Sequence, residues 1–161
     1  MPEQVPLLLE SFFVENLTYQ ARQNFDRTQP PNESVRVDVK ALSHKDDANR
    51  FMTRLHVSVG LPESRNPRCE LNMDLVGFFV LPPGVTGDLR NAMIALNAPS
   101  ILYGVARQIV AETTGNGPWG KVFLQTVNFA HAQNAAAHAK KQPRASAVEP
   151  IVCDRPRATK K

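Results

Sequence analysis

Phe51-Met52-Thr53-Arg54-Leu55-His56-Val57-Ser58-Val59 and Cys69-Glu70-Leu71-Asn72-Met73-Asp74-Leu75 decide the fold, because in both stretches apolar and polar side chains alternate. A period of two belongs to a strand with one face buried and the other in water. Just upstream, Val35, Val37 and Val39 alternate in the same way with Arg36, Asp38 and Lys40. The links between these runs, Ser43 to Asn49 and Pro62 to Pro67, are short and rich in turn formers. Short links favour antiparallel pairing, so a meander or Greek key is expected rather than a parallel sheet.

Working outward from these runs, Leu7 to Tyr19 is apolar on both parities at its middle, through Phe12, Phe13 and Val14. That pattern predicts a strand covered on both sides. Gln29-Pro30-Pro31-Asn32-Glu33 separates it from the valine-rich run. Downstream of Leu75 the alternation gives way to Gly77-Phe78-Phe79-Val80-Leu81, which predicts a bulge or a segment buried on both faces.

Beyond Pro82-Pro83-Gly84 the chain reads as helix. Asp88 can cap a short helix through Leu96, Asn97-Ala98-Pro99 interrupts it, and Ser100 can cap a second stretch to about Thr113. Ile101, Leu102, Val105 and Ile109 fall on one stripe, suited to a core or to helix-mediated assembly. Val122 to Phe129 is short and apolar, and the Ala-rich run Ala130 to Lys141 has high helix propensity. The expected fold is α+β: a four-stranded antiparallel sheet with two C-terminal helices packed on it. One domain is expected over 1–142, with a disordered basic tail over 143–161.

The formal net charge of +4 suggests nucleic acid as a partner until the charges are placed. From Lys140 to the end there are seven basic and two acidic residues, which leaves 12 basic and 13 acidic over residues 1–139. The basicity therefore belongs to the tail. A nucleic-acid-associated protein acting through that tail is the alternative from another functional class. It is disfavoured because no aromatics are interleaved with the basic residues.

No apolar run approaches the roughly 18 residues of a membrane span, and Met1-Pro2-Glu3-Gln4 lacks the basic start of a signal peptide. Cys69 and Cys153 have neither metal-ligand spacing nor the density of a disulfide scaffold, so a reducing, cytoplasmic setting is expected.

Catalytic and cofactor signals are weak. Gly115-Asn116-Gly117-Pro118-Trp119-Gly120 matches G-x-G-x-x-G, but a helix precedes it and Pro118 removes an amide that a pyrophosphate would need. His131 and His138 share a helix face without a carboxylate or thiolate at ligand spacing. His44 lies in a polar link, His56 falls on the wet parity of its strand, and Cys69 falls on the buried parity. No catalytic residue, metal or cofactor is expected. What stands out is a surplus of aromatics. Phe12, Phe25, Phe78, Phe79, Trp119, Phe123 and Phe129 exceed what one sheet layer and two helices can bury, and the excess would line an apolar groove or an interface.

Pro99-Ser100-Ile101-Leu102-Tyr103-Gly104-Val105-Ala106-Arg107, the Gly115–Gly120 loop and Val127-Asn128-Phe129 closely resemble segments of the SecB family of protein-export chaperones. The resemblance covers about residues 5 to 140. It implies a dimer of dimers that holds unfolded preproteins without ATP and passes them to the SecA motor. Weak, sequence-tolerant contacts to an aromatic groove suit such a task, and several grooves on one oligomer add avidity. Where the family carries acidic SecA-docking residues this chain has Asn16, Gln20 and Asn72, with Glu15 and Glu70 beside them. The resemblance therefore also admits a SecB-like chaperone with another receiver, such as those serving toxin–antitoxin systems.

Overall fold

The computed structural model describes residues 7–130 of the chain. Four strands, β1 (Leu8–Ala21), β2 (Val35–Ser43), β3 (Arg50–Val59) and β4 (Cys69–Val80), form one antiparallel sheet in the order β1-β4-β3-β2. The three later strands make a meander. A crossover over residues 22–34 lets β1 lie beside β4, which completes a Greek key. The alternation read from the sequence is the register observed: Leu55 pairs with Val39 and Leu75, and all three face the same side.

That side is covered by α2 (Ala98–Gly115), whose Leu102, Ala106 and Val110 are fully buried against a layer that includes Leu55, Val57, Leu71, Met73 and Leu75. Each such aliphatic side chain contributes about 1.5–3 kcal/mol on leaving water. Gly77 permits the close approach of helix to sheet. A Cβ built there would stand 2.7 Å from Leu102 Cδ2.

The expected bulge is elsewhere. β4 runs regularly past Gly77, whereas β1 is irregular between Leu9 and Ser11 and between Val14 and Asn16, so Glu10 and Glu15 are its extra residues. Each bulge resets the alternation, which is why β1 looked apolar on both parities. β1 is also not covered on both sides. It is an edge strand that α2 touches only in part, and Phe12 and Phe13 are each 46% exposed on opposite faces.

The helical part departs from expectation in a second way. α1 (Gly87–Ala92) continues without a break through a π-helical turn (Met93–Asn97) into α2. The Ala98 amide donates to the carbonyl of Met93, five residues back, and the wider turn admits Pro99 near the start of α2. Neither expected cap forms. Thr86 occupies the cap position of α1, and the Ser100 hydroxyl donates back to the Leu96 carbonyl at 2.6 Å. The Ala-rich helix, His131, His138, Cys153, the 142/143 boundary and the basic tail lie outside the described residues.

Candidate functional site

Two connections meet at the end of the sheet where β1 finishes and β2 begins: the crossover 22–34 and the extended segment 116–128 that follows α2. The helix exit fixes the second of these. Thr114 Oγ1 donates to the Val110 carbonyl at 2.7 Å and accepts the Val122 amide at 2.8 Å, so the chain must turn through the glycine-bearing loop in between. Gly117 fits there because a Cβ would collide with the Tyr19 hydroxyl, and Gly120 takes φ +76°.

Trp119 is brought by this turn against Phe25, with ring centroids 5.5 Å apart and planes inclined at 52°. Its indole N–H donates to the Arg22 carbonyl at 2.7 Å, and the Arg27 guanidinium lies 4.8 Å over its ring. Farther along the same segment Phe123 is 72% exposed. It borders a cleft of about 390 Å3 lined by Pro31, Glu33, Val35, Tyr103 and Val127 among others. One wall is the crossover, the other is 122–127, and the Tyr103 hydroxyl closes the floor by donating to the Gln125 carbonyl at 2.7 Å. Aromatic rings beside open backbone suit apolar segments of varied sequence.

The titratable groups nearby are tuned for structure. Asp26 accepts from the Thr28 hydroxyl and amide at 2.6 and 2.8 Å, and these bonds hold its carboxyl below the ordinary aspartate range. Burial raises the Tyr19 and Tyr103 phenols. Burial, helped by the Glu33 charge, pushes the Cys69 thiol up to about 11, which leaves it un-ionised and unreactive at neutral pH.

The sheet face away from α2 is a second exposed surface. Phe78, Phe13, Met52 and Leu42 gather at one corner, with the Phe13 and Phe78 rings 6.2 Å apart. The rest of the face is polar and cross-linked. Glu10 meets Arg50 at 3.0 Å, Glu15 meets Arg54 at 2.7 Å, and Glu70 meets Arg22 at 2.9 Å. Asp74 lies 2.7 Å from His56 Nδ1, whose Nε2 is 2.9 Å from the Ser58 hydroxyl. Although this is the order of a Ser–His–Asp relay, the neighbouring strand amides are committed to the sheet ladder and cannot hold an oxyanion.

The residues singled out from the sequence divide accordingly. Phe123 lines the cleft, Phe25 and Trp119 pair on the two connections that form its walls, and Phe12 and Phe78 lie on β1 and β4 away from it. Phe79 is 1% exposed and stacks on Phe51 at 5.3 Å, and Phe129 is 6% exposed with its edge to Tyr103 at 5.9 Å. Both are core residues, buried by core parity and by the Tyr103 contact, although Phe79 and Phe51 also border a cavity of about 450 Å3 at the Phe78 corner. Leu102 is likewise core, seated over Gly77, while Ile101 is exposed and Val105 and Ile109 are half-buried and pack against the edge of the core. Glu15, Asn16, Gln20, Glu70 and Asn72 do share the open face, and both carboxylates there are held by arginines. Sequence reasoning missed Arg27, Asn66 and Arg68, whose partners are brought near only by the fold. Asn66 read there as part of a Pro-rich turn.

Comparison with known proteins follows this geometry. A family model described as preprotein translocase subunit SecB matches residues 3–140. Protein-export protein SecB of Rhodospirillum centenum is 29% identical over 131 residues, covering 78% of this chain and 76% of that protein. The protein of the same description from Hyphomonas neptunium is 26% identical over 117 residues, covering 73% and 70% respectively. Among solved structures, a SecB-like chaperone of Mycobacterium tuberculosis in complex with a ChAD peptide from the HigA1 antitoxin superposes with a TM-score of 0.59. It is 13% identical and covers 75% of this chain and 90% of that one. At that identity the likeness is one of fold. No helix among the described residues is long and apolar enough to cross a membrane.

Proposed function

The chain belongs to the SecB family, as the match over residues 3–140 shows, and from that premise we propose that it is an ATP-independent holdase for unfolded polypeptides. The observation that supports this most is the junction of the crossover with the 116–128 segment, where Phe25 and Trp119 pair and Phe123 stands open to solvent on the rim of a cleft. An unfolded client presents apolar side chains and unpaired amides, and such a cleft takes both without reading sequence. Holding a client requires no bond to be made or broken, so no catalytic group is assigned.

Assembly as a dimer of dimers belongs to the same proposal. The exposed side chains of edge strand β1 and Ile101 on α2, with the half-buried Val105 and Ile109 beside it, are apolar surfaces available for it. Scattering mass near four chains is expected, and a monomer at micromolar concentration would remove this part.

The receiver is proposed to differ from a SecA-type basic tail. On the open face Glu15 and Glu70 are neutralised by Arg54 and Arg22, and Asn16, Gln20 and Asn72 carry no charge. The fold-mate solved with an antitoxin peptide makes a dedicated partner of that kind the second reading. To test the main one, a chemically unfolded client is diluted with and without the purified protein, in the absence of nucleotide, and its light scattering followed. Suppression at a few-fold molar excess is expected. Unchanged aggregation refutes the holdase assignment.

A further inference from the structure

The two walls meet directly where Trp119 touches Phe25, Arg22 and Arg27, and both are also fastened to one short loop, residues 60–68 between β3 and β4. Within that loop Asn66 is almost fully buried. Its side-chain nitrogen lies 2.9, 3.3 and 3.4 Å from the carbonyls of Asp26, Gln29 and Pro30, and its side-chain oxygen accepts the Asp26 amide at 3.1 Å. Its own carbonyl accepts the Asn32 amide at 3.0 Å. One residue thus gathers the crossover from Asp26 to Asn32 by both ends of its amide and by its backbone.

Two residues on, Arg68 fastens both walls. Its Nε lies 2.6 Å from Glu33 on the crossover, and its terminal nitrogen donates to the Lys121 carbonyl on the opposite wall at 2.8 Å. Its carbonyl accepts the Arg22 amide, and the Arg22 carbonyl in turn accepts the Trp119 indole N–H. Arg68 and Glu33 are both largely buried, and a pair withdrawn from water is screened little by salt. The planar guanidinium holds Glu33 and the Lys121 carbonyl with different nitrogens set in a fixed fork, a spread that the single nitrogen of an ammonium does not have.

We propose that Asn66 and Arg68 are positioning residues, and that the β3–β4 loop is a frame that sets the width of the client cleft and the seat of Trp119. The inference rests on the holdase reading and deepens it. A client would not touch either residue; it would bind walls whose separation they fix. Preorganised walls spare the ordering cost that loose loops would impose on each binding event.

The test compares Asn66→Ala, Arg68→Lys and Trp119→Ala in the full chain, using reduced, carboxymethylated α-lactalbumin as a permanently unfolded probe. The chain has one tryptophan, so its emission reports the seat of Trp119 alone. For Arg68→Lys and Asn66→Ala we expect roughly tenfold weaker binding of the probe, red-shifted tryptophan emission, and faster hydrogen exchange over residues 24–34. Exchange in β3 and β4 is expected to stay slow. Should Asn66→Ala fail to fold, Arg68→Lys, which keeps the charge beside Glu33, decides the matter. Parental affinity and emission in Arg68→Lys, with binding lost in Trp119→Ala, overturn the frame and leave the cleft standing. Parental affinity in all three overturns the cleft and the frame with it.

Discussion

Two aromatic pairs lie at the surface of this molecule, one exposed and one half-buried, and they are mounted differently. Phe13 and Phe78 project from neighbouring strands of a hydrogen-bonded sheet, 6.2 Å apart, beside the ion pairs Glu10–Arg50 and Glu15–Arg54. Phe25 and Trp119 project from two connections, 5.5 Å apart, beside a cleft and under an exposed guanidinium. The first pair is held by the strand ladder and cannot change its spacing without breaking register. The second is held by side-chain hydrogen bonds to a loop, so its spacing can adjust while the core stays intact. Clients of many shapes need the second kind of mounting, and a single partner of fixed shape is served by the first.

The sharpest way to break this comparison is to delete each pair in turn. Phe25→Ala with Trp119→Ala is expected to weaken binding of an unfolded client by about 30-fold, ~2 kcal/mol, as for a buried aromatic hot spot. Phe13→Ser with Phe78→Ser should stay within about twofold in the same titration. The opposite ranking would move the client site to the sheet face.

A second experiment strips the neutralising partners from the open face. Arg22→Ala with Arg54→Ala exposes Glu70 and Glu15, and an oligolysine peptide is then expected to bind about tenfold more tightly at low salt. The gain should vanish as salt is raised. No gain would show that paired charge is not what keeps that face from attracting a basic segment.

Phe123 sharpens the comparison further. Because its ring is already in solvent, Phe123→Ser should leave the denaturation midpoint unchanged within about 0.5 kcal/mol while client binding drops by about threefold. A clear loss of stability would mean that the ring packs in solution.

The smallest effect concerns pH. Asp26 has its carboxyl held low by Thr28, so its contribution is complete above the ordinary aspartate value of about 4 and is lost as pH falls through the lower folded value. Acid titration followed by Trp119 emission should show the crossover loosening in that acid range, and Asp26→Asn should remove the transition.

The sheet was legible because Leu55, Val57, Leu71 and Met73 each follow the period of two under one covering helix. β1 was only half legible, since the extra residues Glu10 and Glu15 break the period and nothing local marks them as extra. The π turn was hidden because Asn97-Ala98-Pro99 spells a helix break, and only the wider bonding of Ala98 to Met93 removes the need for one. Around the cleft, Phe25, Trp119 and Phe123 could be suspected from an aromatic surplus. Phe79 and Phe129 could not be told from them, because the surplus says how many rings are left over and not which. Asn66 and Arg68 left no signal at all, because their partners lie 34 to 53 residues away in the sequence, Asn32 the nearest and Lys121 the farthest.

The two bulges in β1 carry a consequence for how this strand can change over generations. Removing Glu15 would leave Val14 and Asn16 in plain alternation, with every other side chain on its present face, and the same holds for Glu10. Removing a residue away from these two bulges would throw the side chains on one side of the gap onto the wrong face. Single-residue insertions and deletions among relatives should therefore collect at the bulges, positions 10–11 and 15–16. A carboxylate that seems shifted by one position relative to a relative, as Glu15 does beside Asn16, is then the same surface group written with a different spacing.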